Sequence, residues 1–366
     1  MPEGAHLGPM LAGFVLSFVL CLGLVATQRW HGRFSHDGLL GLQKFHKRKV
    51  PRIGGAGIWL AYWLVWPLLG DEGLRALWAQ IGVAALPVIL AGIAEDLTKR
   101  VGTRARLLAS MAAGAVFVAM TGYAMVEVDL PGVDWLLSFS IGGLVFTAFA
   151  MGGVANAVNI IDGFNGLAAG TCLVICASFA WVAAQVGDRL VVELALIYMG
   201  LIGGFFVLNF PFGRIFLGDG GAYFLGFLLA SLGVLLPMRN PEISAWAAIL
   251  ICGYPVIETL ASMRRKARRD GYSMGVPDRV HFHMLVHRRL ARRVVPAVLP
   301  AEFRNPATSV VTWLLPATTA ALAAISYDSA LLSAMFFFLT VYLYMQAYGV
   351  MSLNRQRMPP GLARLF

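Results

Sequence analysis

A chain of 366 residues that is 58% hydrophobic and only 13% charged stands far from the roughly 45–50% and 25% of ordinary soluble domains. With a mean hydropathy of +0.72, this composition excludes a water-soluble globule and points to a lipid bilayer. The 29 Lys and Arg against 19 Asp and Glu leave a net +10, which in such a chain raises first the question of which membrane face holds the cations. Cys21, Cys172, Cys176 and Cys252 all lie in apolar runs without metal-ligand spacing and read as packing residues.

Crossing about 30 Å of hydrocarbon takes about 20 mainly apolar residues per helix. Eleven stretches approach that length: 10–27, 53–70, 77–94, 107–126, 135–154, 167–186, 190–208, 222–237, 244–262, 307–326 and 330–351. The spacing predicts an all-α, polytopic membrane domain over residues 1–366, with a large basic loop at 263–306. The run at 222–237 is the shortest, and Glu193 and Glu258 are the charged residues within the runs, each near a segment end from which it is expected to reach the headgroups.

The residues before the first run carry no Lys or Arg and no A-x-A site follows, so that run reads as a retained span with the N-terminus outside. Loops after odd-numbered spans then face the cytoplasm, and 26 of the 29 cations fall there together with the C-terminus. Arg75, Arg189 and Arg239 are left outside. Reversing the chain or removing one central span destroys this asymmetry, so the cations support both the count and the direction.

Polar residues gather in five cytoplasmic loops, where function in a membrane protein is best sought. The first runs from Phe45 through Lys47 to Pro51-Arg52-Ile53-Gly54-Gly55; its basic cluster suits a topology anchor or anionic lipid, while the Pro and paired glycines allow close backbone approach. The second holds adjacent carboxylates, Glu95 and Asp96, followed by cations that include Arg104, which suits a metal or phosphate station as well as a solvated helix end. The third, Asn156 to Leu167, has Asn156, Asn159, Asp162 and Asn165 and no cation, so a positive-inside anchor does not explain it. Asn156 and Asn159 share a helix face, with Asp162 about one turn on.

The fourth is Gly218-Asp219-Gly220-Gly221 before an apolar run, where helix-start amides suit phosphate and the carboxylate suits a hard divalent cation. The fifth contains Pro277-Asp278-Arg279-Val280-His281-Phe282-His283 within a basic stretch. It suits anion binding better than zinc, because only His287 lies near as a third ligand. One face thus combines carboxylates, amides, glycine turns and cations. A transporter would place ionisable residues at mid-membrane, whereas these span centres are nearly free of charge, which favours an interfacial enzyme acting on phosphates.

These motifs, in this order from Lys44 to His287, resemble the polyprenyl-phosphate N-acetylhexosamine-1-phosphate transferases of the glycosyltransferase family 4 type. The most specific matches are Asn156-x-x-Asn159-x-x-Asp162-Gly163-x-Asn165-Gly166-Leu167, Gly218-Asp219-x-Gly and Pro277-Asp278-Arg279-x-His281-x-His283. The resemblance implies a UDP-N-acetylhexosamine donor, UDP-GlcNAc by default, an undecaprenyl-phosphate acceptor, and Mg²⁺ with Mn²⁺ as the alternative. It further implies UMP as a product, a bacterial inner-membrane location and membrane lipids as surroundings; with 26 of 29 cations on one face, nucleic acid is not needed to explain the net charge. Carried over by position, Asp219 and Asp162 are metal-side residues and Asp96 and Glu95 the paired carboxylates near the attacking phosphate. Lys47, Asn156, Asn159, Asn165, Arg104, Arg279, His281 and His283 are then substrate contacts.

Three departures stand out: Glu95 for the first of two aspartates, Asn165 for a second loop aspartate, and Met284 for a third histidine. The last favours the O-antigen-initiating branch over the peptidoglycan branch. Gly200-x-x-x-Gly204 has the spacing that closes helix pairs, within one chain or in an oligomer.

Overall fold

The computed structural model describes residues 7–35, 49–267, 280–292 and 300–353, with residues 295 and 298 between the last two segments. The regular elements among them are helices, as the sequence predicts. In chain order they are α1 (Leu7–Ala26), α2 (Gln28–Ser35), α3 (Gly54–Val65), α4 (Glu72–Ala84), α5 (Leu86–Thr98), α6 (Thr103–Thr121), α7 (Pro131–Leu137), α8 (Ser140–Ile161) and α9 (Leu167–Gln185). There follow α10 (Arg189–Asn209), α11 (Gly218–Arg239), α12 (Ala245–Ile251), α13 (Gly253–Ala267), α14 (Phe282–Val286), α15 (Arg304–Thr312), α16 (Leu314–Ala324) and α17 (Ala330–Ser352).

Eight helical stretches among the described residues are long and apolar enough to cross a membrane, or ten if each of two bent pairs is one span. The pairs are α4 with α5, bent by 45°, and α12 with α13, bent by 81°. Pro87 opens α5 and Pro255 lies in the first turn of α13, and each lacks the N–H that would continue the helix before it. The remaining predicted span, 53–70, is shorter than expected. Its helix α3 has 12 residues, about 18 Å of rise, and then tightens into one 3₁₀ turn at Trp66–Leu68 around Pro67.

The apolar run that looks least like a span is the centre of the bundle. Helix α11 extends over 22 residues and is buried almost throughout, packed on α3, α5, α8 and α9. Small residues permit this approach: a Cβ on Gly226 would lie 2.6 Å from the Ala155 Cα of α8. At the start of α11 the fit is tighter. A Cβ on Gly55 would stand 2.2 Å from the Gly221 nitrogen, and one on Gly92 would stand 2.4 Å from the Gly220 Cα. Gly55→Ala and Gly92→Ala should therefore push α3 or α5 off α11 and lower stability by about 1–3 kcal/mol or more. Thermal unfolding in detergent checks this against Gly153→Ala, where the added methyl group meets nothing within 4 Å.

The Gly200 and Gly204 pair is also settled. Cβ atoms there would lie 2.1 Å from the Met10 carbonyl and 2.3 Å from the Phe14 carbonyl, so this motif closes α10 on α1 within the chain. At the opposite end of the bundle from the start of α11, Arg239 donates to Asp188 through Nε at 2.8 Å and Nη2 at 3.1 Å. Asn240 adds a bond of 2.9 Å to Asp188, and Arg239 also reaches the Tyr123 hydroxyl at 3.0 Å. Burial would raise the Asp188 carboxyl, but the bonds from Arg239, Asn240 and the Val191 N–H hold it below the usual carboxylate value. Arg239 is thus one half of an ion pair that ties α9, α10, α11 and the end of α6.

Candidate active site

Two segments far apart in sequence lie side by side below the start of α11. The Phe216 N–H donates to the Pro51 carbonyl at 2.8 Å, and the Gly54 and Gly55 N–H groups donate to the Phe216 and Leu217 carbonyls, both at 2.9 Å. This pairing aims Arg52 at the first turn of α11, where its guanidinium bonds the Asp219 carboxylate and its Nε lies 3.7 Å from Asp96 Oδ1. Arg106, in the first turn of α6, pairs with the other Asp219 oxygen, and its guanidinium lies 5.8 Å from the centre of the Tyr223 ring.

Asp96 has a structural position that its motif does not reveal. Oδ1 accepts the Asp219 N–H at 2.8 Å and Oδ2 accepts the Gly220 N–H at 2.9 Å, so a residue 123 positions earlier caps α11. Gly218 has a φ of +77° and a Cβ there would stand 2.5 Å from Asp96 Oδ2, so glycine is required on both counts. The expectation that the first amides of α11 are open to phosphate is therefore corrected for Asp219 and Gly220, whose N–H groups belong to Asp96. Glu95 turns elsewhere, accepting the Val101 N–H at 2.8 Å and closing the loop between α5 and α6.

The Asn and Asp loop meets this centre from α8. Asn156 accepts from the Tyr223 hydroxyl at 3.0 Å, and Asn159 shares that hydroxyl, which confirms the common helix face. Asp162 follows α8 directly; it keeps solvent contact although protein crowds it. Its carboxyl feels Arg52, which favours the charged form, and Asp96, which disfavours it. Asn165 is engaged in the fold: its side-chain amide donates to the Pro211 carbonyl at 2.9 Å and its N–H to Asn305 at 2.8 Å. Asn209 joins the same loops, accepting from the Gly166 N–H at 2.6 Å and donating to the Ile215 carbonyl at 2.8 Å.

His281 and His283 are both buried, with rings stacked 5.3 Å apart, and the Nε2 edge of His283 abuts Gly163 beside Asp162. The structure therefore brings together Asp96, Asp162, Asp219, Asn156, Asn159 and the two histidines at one end of the bundle. Arg104 is exposed, and it is Arg106, two residues on, that pairs with Asp219. Lys47 and Arg279 lie outside the described residues. Glu258 is corrected: it does not reach the headgroups but is fully buried, bonded to His281 and Tyr344. Sequence reasoning takes Arg52 only as part of the turn at 51–55, as a phosphate contact, and passes over Tyr223. The available signals were a carboxylate inside a charge-poor span for Glu258 and a cation held between proline and paired glycines for Arg52.

His287 lies just beyond α14, donating to or accepting from the Thr308 hydroxyl at 2.9 Å and packed on Phe164. Burial, reinforced by Arg292, Arg304 and Arg288, pushes its imidazole down to about 4. The unfolded chain binds this proton near pH 6.5 and the folded chain does not, so stability should fall as pH drops from about 6.5 towards 4. Thermal midpoints measured between pH 7 and 4.5 should show that slope, and His287→Gln should flatten it.

Among the described residues no three carboxylate, histidine or cysteine side chains converge as a ready-made metal cage. The oxygen donors present suit a hard cation of the kind that takes one or two carboxylates and completes its shell with water and phosphate. The arrangement as a whole can neutralise and orient clustered phosphates, through two guanidiniums held in place by carboxylates.

Residues 78–236 match the family model described as Glycosyl transferase family 4. The chain is 30% identical over 254 residues to the probable undecaprenyl-phosphate N-acetylglucosaminyl 1-phosphate transferase of Bacillus subtilis (strain 168), covering 68% of each protein. It is 28% identical over 267 residues to the phospho-N-acetylmuramoyl-pentapeptide-transferase of Lactobacillus gasseri, covering 69% of this chain and 82% of that one. The corresponding enzyme of Bacillus subtilis is 28% identical over 276 residues, with 71% and 82% covered. Like these relatives, and with the helices and the Asp96, Asp162 and Asp219 centre described above, this multi-pass membrane protein belongs to glycosyl transferase family 4.

Proposed function

We propose that the protein transfers a sugar-1-phosphate from a nucleotide-linked donor to a polyprenyl phosphate, and more finely N-acetylhexosamine-1-phosphate from UDP-GlcNAc to undecaprenyl phosphate. The observation that carries this reading is the Asp219 carboxylate at the head of the central helix, gripped by Arg52 and Arg106 and flanked by Asp96, with Asp162 within the electrostatic reach of Arg52 and Asp96. The relatives named as undecaprenyl-phosphate and muramoyl-pentapeptide transferases support the reaction type, and the first of them supports the GlcNAc donor. Met284 in the histidine motif supports a role in initiating an O-antigen-like polysaccharide. The cation asymmetry supports a cytoplasmic site in a bacterial inner membrane, with the N-terminus outside.

In this reading an oxygen of the lipid phosphate attacks the β-phosphorus of the donor in line. The new P–O bond forms as the bond to UMP breaks, and UMP leaves with the electron pair. A phosphate monoester with its second pKa near 6 is already largely dianionic at pH 7, so no strong base is required. Asp96, with both oxygens on backbone amides, supports direct displacement over a covalent intermediate on that residue. Arg52 and Arg106 lie where negative charge gathers in the transition state. Asp219 and Asp162 would hold Mg²⁺, which when bound supplies further neutralisation of the donor phosphates. Asn156 and Asn159 orient the nucleotide side, and the histidine pair meets the diphosphate.

Purified protein supplied with UDP-GlcNAc, undecaprenyl phosphate and Mg²⁺ should release UMP and form lipid-linked sugar. Uptake of donor into vesicles without UMP would replace this reading by a carrier. A donor panel of UDP-GlcNAc, UDP-GalNAc and UDP-muramoyl-pentapeptide separates the finer assignments.

A further inference from the structure

Glu258 has no place in the chemistry above, yet it is a carboxylate with 0% exposure in a chain that keeps its helix interiors almost free of charge. Four donors from three parts of the molecule converge on it. His281 Nδ1 lies 2.9 Å from Oε1 and Arg265 Nη2 lies 3.2 Å from the same oxygen. The Phe282 N–H donates to Oε2 at 3.0 Å and the Tyr344 hydroxyl donates to Oε2 at 2.6 Å. Both oxygens are thus saturated, which is how a buried carboxylate is kept charged.

The arrangement is directional. Carboxylate bonding at Nδ1 fixes the ring of His281 and leaves Nε2 as the ring nitrogen for a ligand. The His281 ring stacks at 5.3 Å, 12° from parallel, on His283, whose Nδ1 lies 3.2 Å from the Tyr254 hydroxyl and whose far edge abuts Gly163 next to Asp162. Tyr344 brings in α17, the last helix, whose Tyr344 ring also packs 5.2 Å from Phe282. A carboxylate on α13 is therefore connected, without a gap, to the loop that carries Asp162, and it is braced from α17.

We propose that Glu258 is a positioning residue for the transfer reaction: together with Tyr344 it holds His281 by Nδ1 so that Nε2 is presented to the donor diphosphate. This rests on the transferase reading. It predicts that Glu258 acts through His281 and that its loss shows in donor binding before it shows in turnover.

The test is a double-mutant cycle on UMP release by the full-length protein, varying UDP-GlcNAc at fixed undecaprenyl phosphate. Glu258→Gln and His281→Ala should each lower kcat/KM at least tenfold, mainly through KM for the nucleotide sugar. The double variant should be no worse than His281→Ala within about twofold, because the second change removes what the first acts on. Losses that multiply, or a loss in kcat with KM unchanged, would overturn the proposal in favour of a purely structural carboxylate. Tyr344→Phe removes one donor, keeps the charge and leaves the core volume intact. It should cost two- to fivefold in KM for the donor and be silent on a His281→Ala background, so the cycle is decided even where Glu258→Gln fails to fold. A wild-type protein that releases no UMP fails the transferase reading itself, an outcome separate from an active enzyme with multiplicative losses.

Discussion

Asp219→Asn should leave a folded protein whose UMP release falls to about one hundredth of wild type or less. Asparagine keeps the shape of the side chain and removes its charge, so Arg52 and Arg106 lose the carboxylate that aims both guanidiniums at one point. Preorganised charge of this kind is worth about 10²–10³ in rate, because nothing has to rearrange when the transition state forms. The structural cost is smaller. The Arg52 side chain keeps 29% exposure, so water replaces part of the lost partner and the effect stays below the about 3–5 kcal/mol of a fully buried broken pair. Steady-state UMP release paired with a thermal midpoint checks both halves. Near-normal turnover would overturn the place of Asp219 in the site.

Asp96→Asn should behave differently, losing stability and activity together. Its two oxygens each accept a backbone N–H from the first turn of α11, and asparagine offers one oxygen and one N–H₂ group. One amide would then face a donor. A lost charge-assisted bond and a buried N–H without an acceptor together cost about 3 kcal/mol. Because the cap sets where α11 begins, and Asp219 is the second residue of that helix, the Arg52 and Arg106 pairing moves with it. A lowered thermal midpoint and a loss of UMP release should therefore appear in one variant. An unchanged midpoint would contradict the capping role, and a trapped acyl-phosphate on Asp96 during turnover would contradict direct displacement.

The contrast between these two aspartates shows how far a motif carries. Asp219 and Asp96 look alike in the sequence, each a carboxylate at the end of an apolar run next to glycine or cations. Asp162, Asn156 and Asn159 stood out in the sequence because they persist where composition offers no other reason for polar residues. The helix spacing of the two asparagines was readable too, and the Tyr223 hydroxyl confirms it. Asn165 belonged to the same pattern, but its amide is spent on Pro211, a partner 46 positions away. Arg104 and Arg106 differ by two residues on one helix, which sends their side chains to different faces. Only the rotation of α6 against α11 decides that Arg106 meets Asp219.

The sequence by itself determined the class of the protein: hydrophobic length sets where helices lie, the cations support one orientation, and residual polarity marks the loops that meet at one end of the bundle. Hydropathy does not separate an apolar side chain that faces lipid from one that faces another helix, because both surroundings are equally greasy. The tertiary structure alone therefore made the shortest run, α11, the buried axis of the bundle, with Gly55, Gly92 and Gly221 allowing α3 and α5 to reach it. It also decided the pairings that join residues more than a hundred positions apart: Arg52 with Asp219, and Asp96 with the α11 amides. Such bonds depend on the register in which helices pack, and that register is set by side-chain shape across the whole bundle rather than by any local pattern.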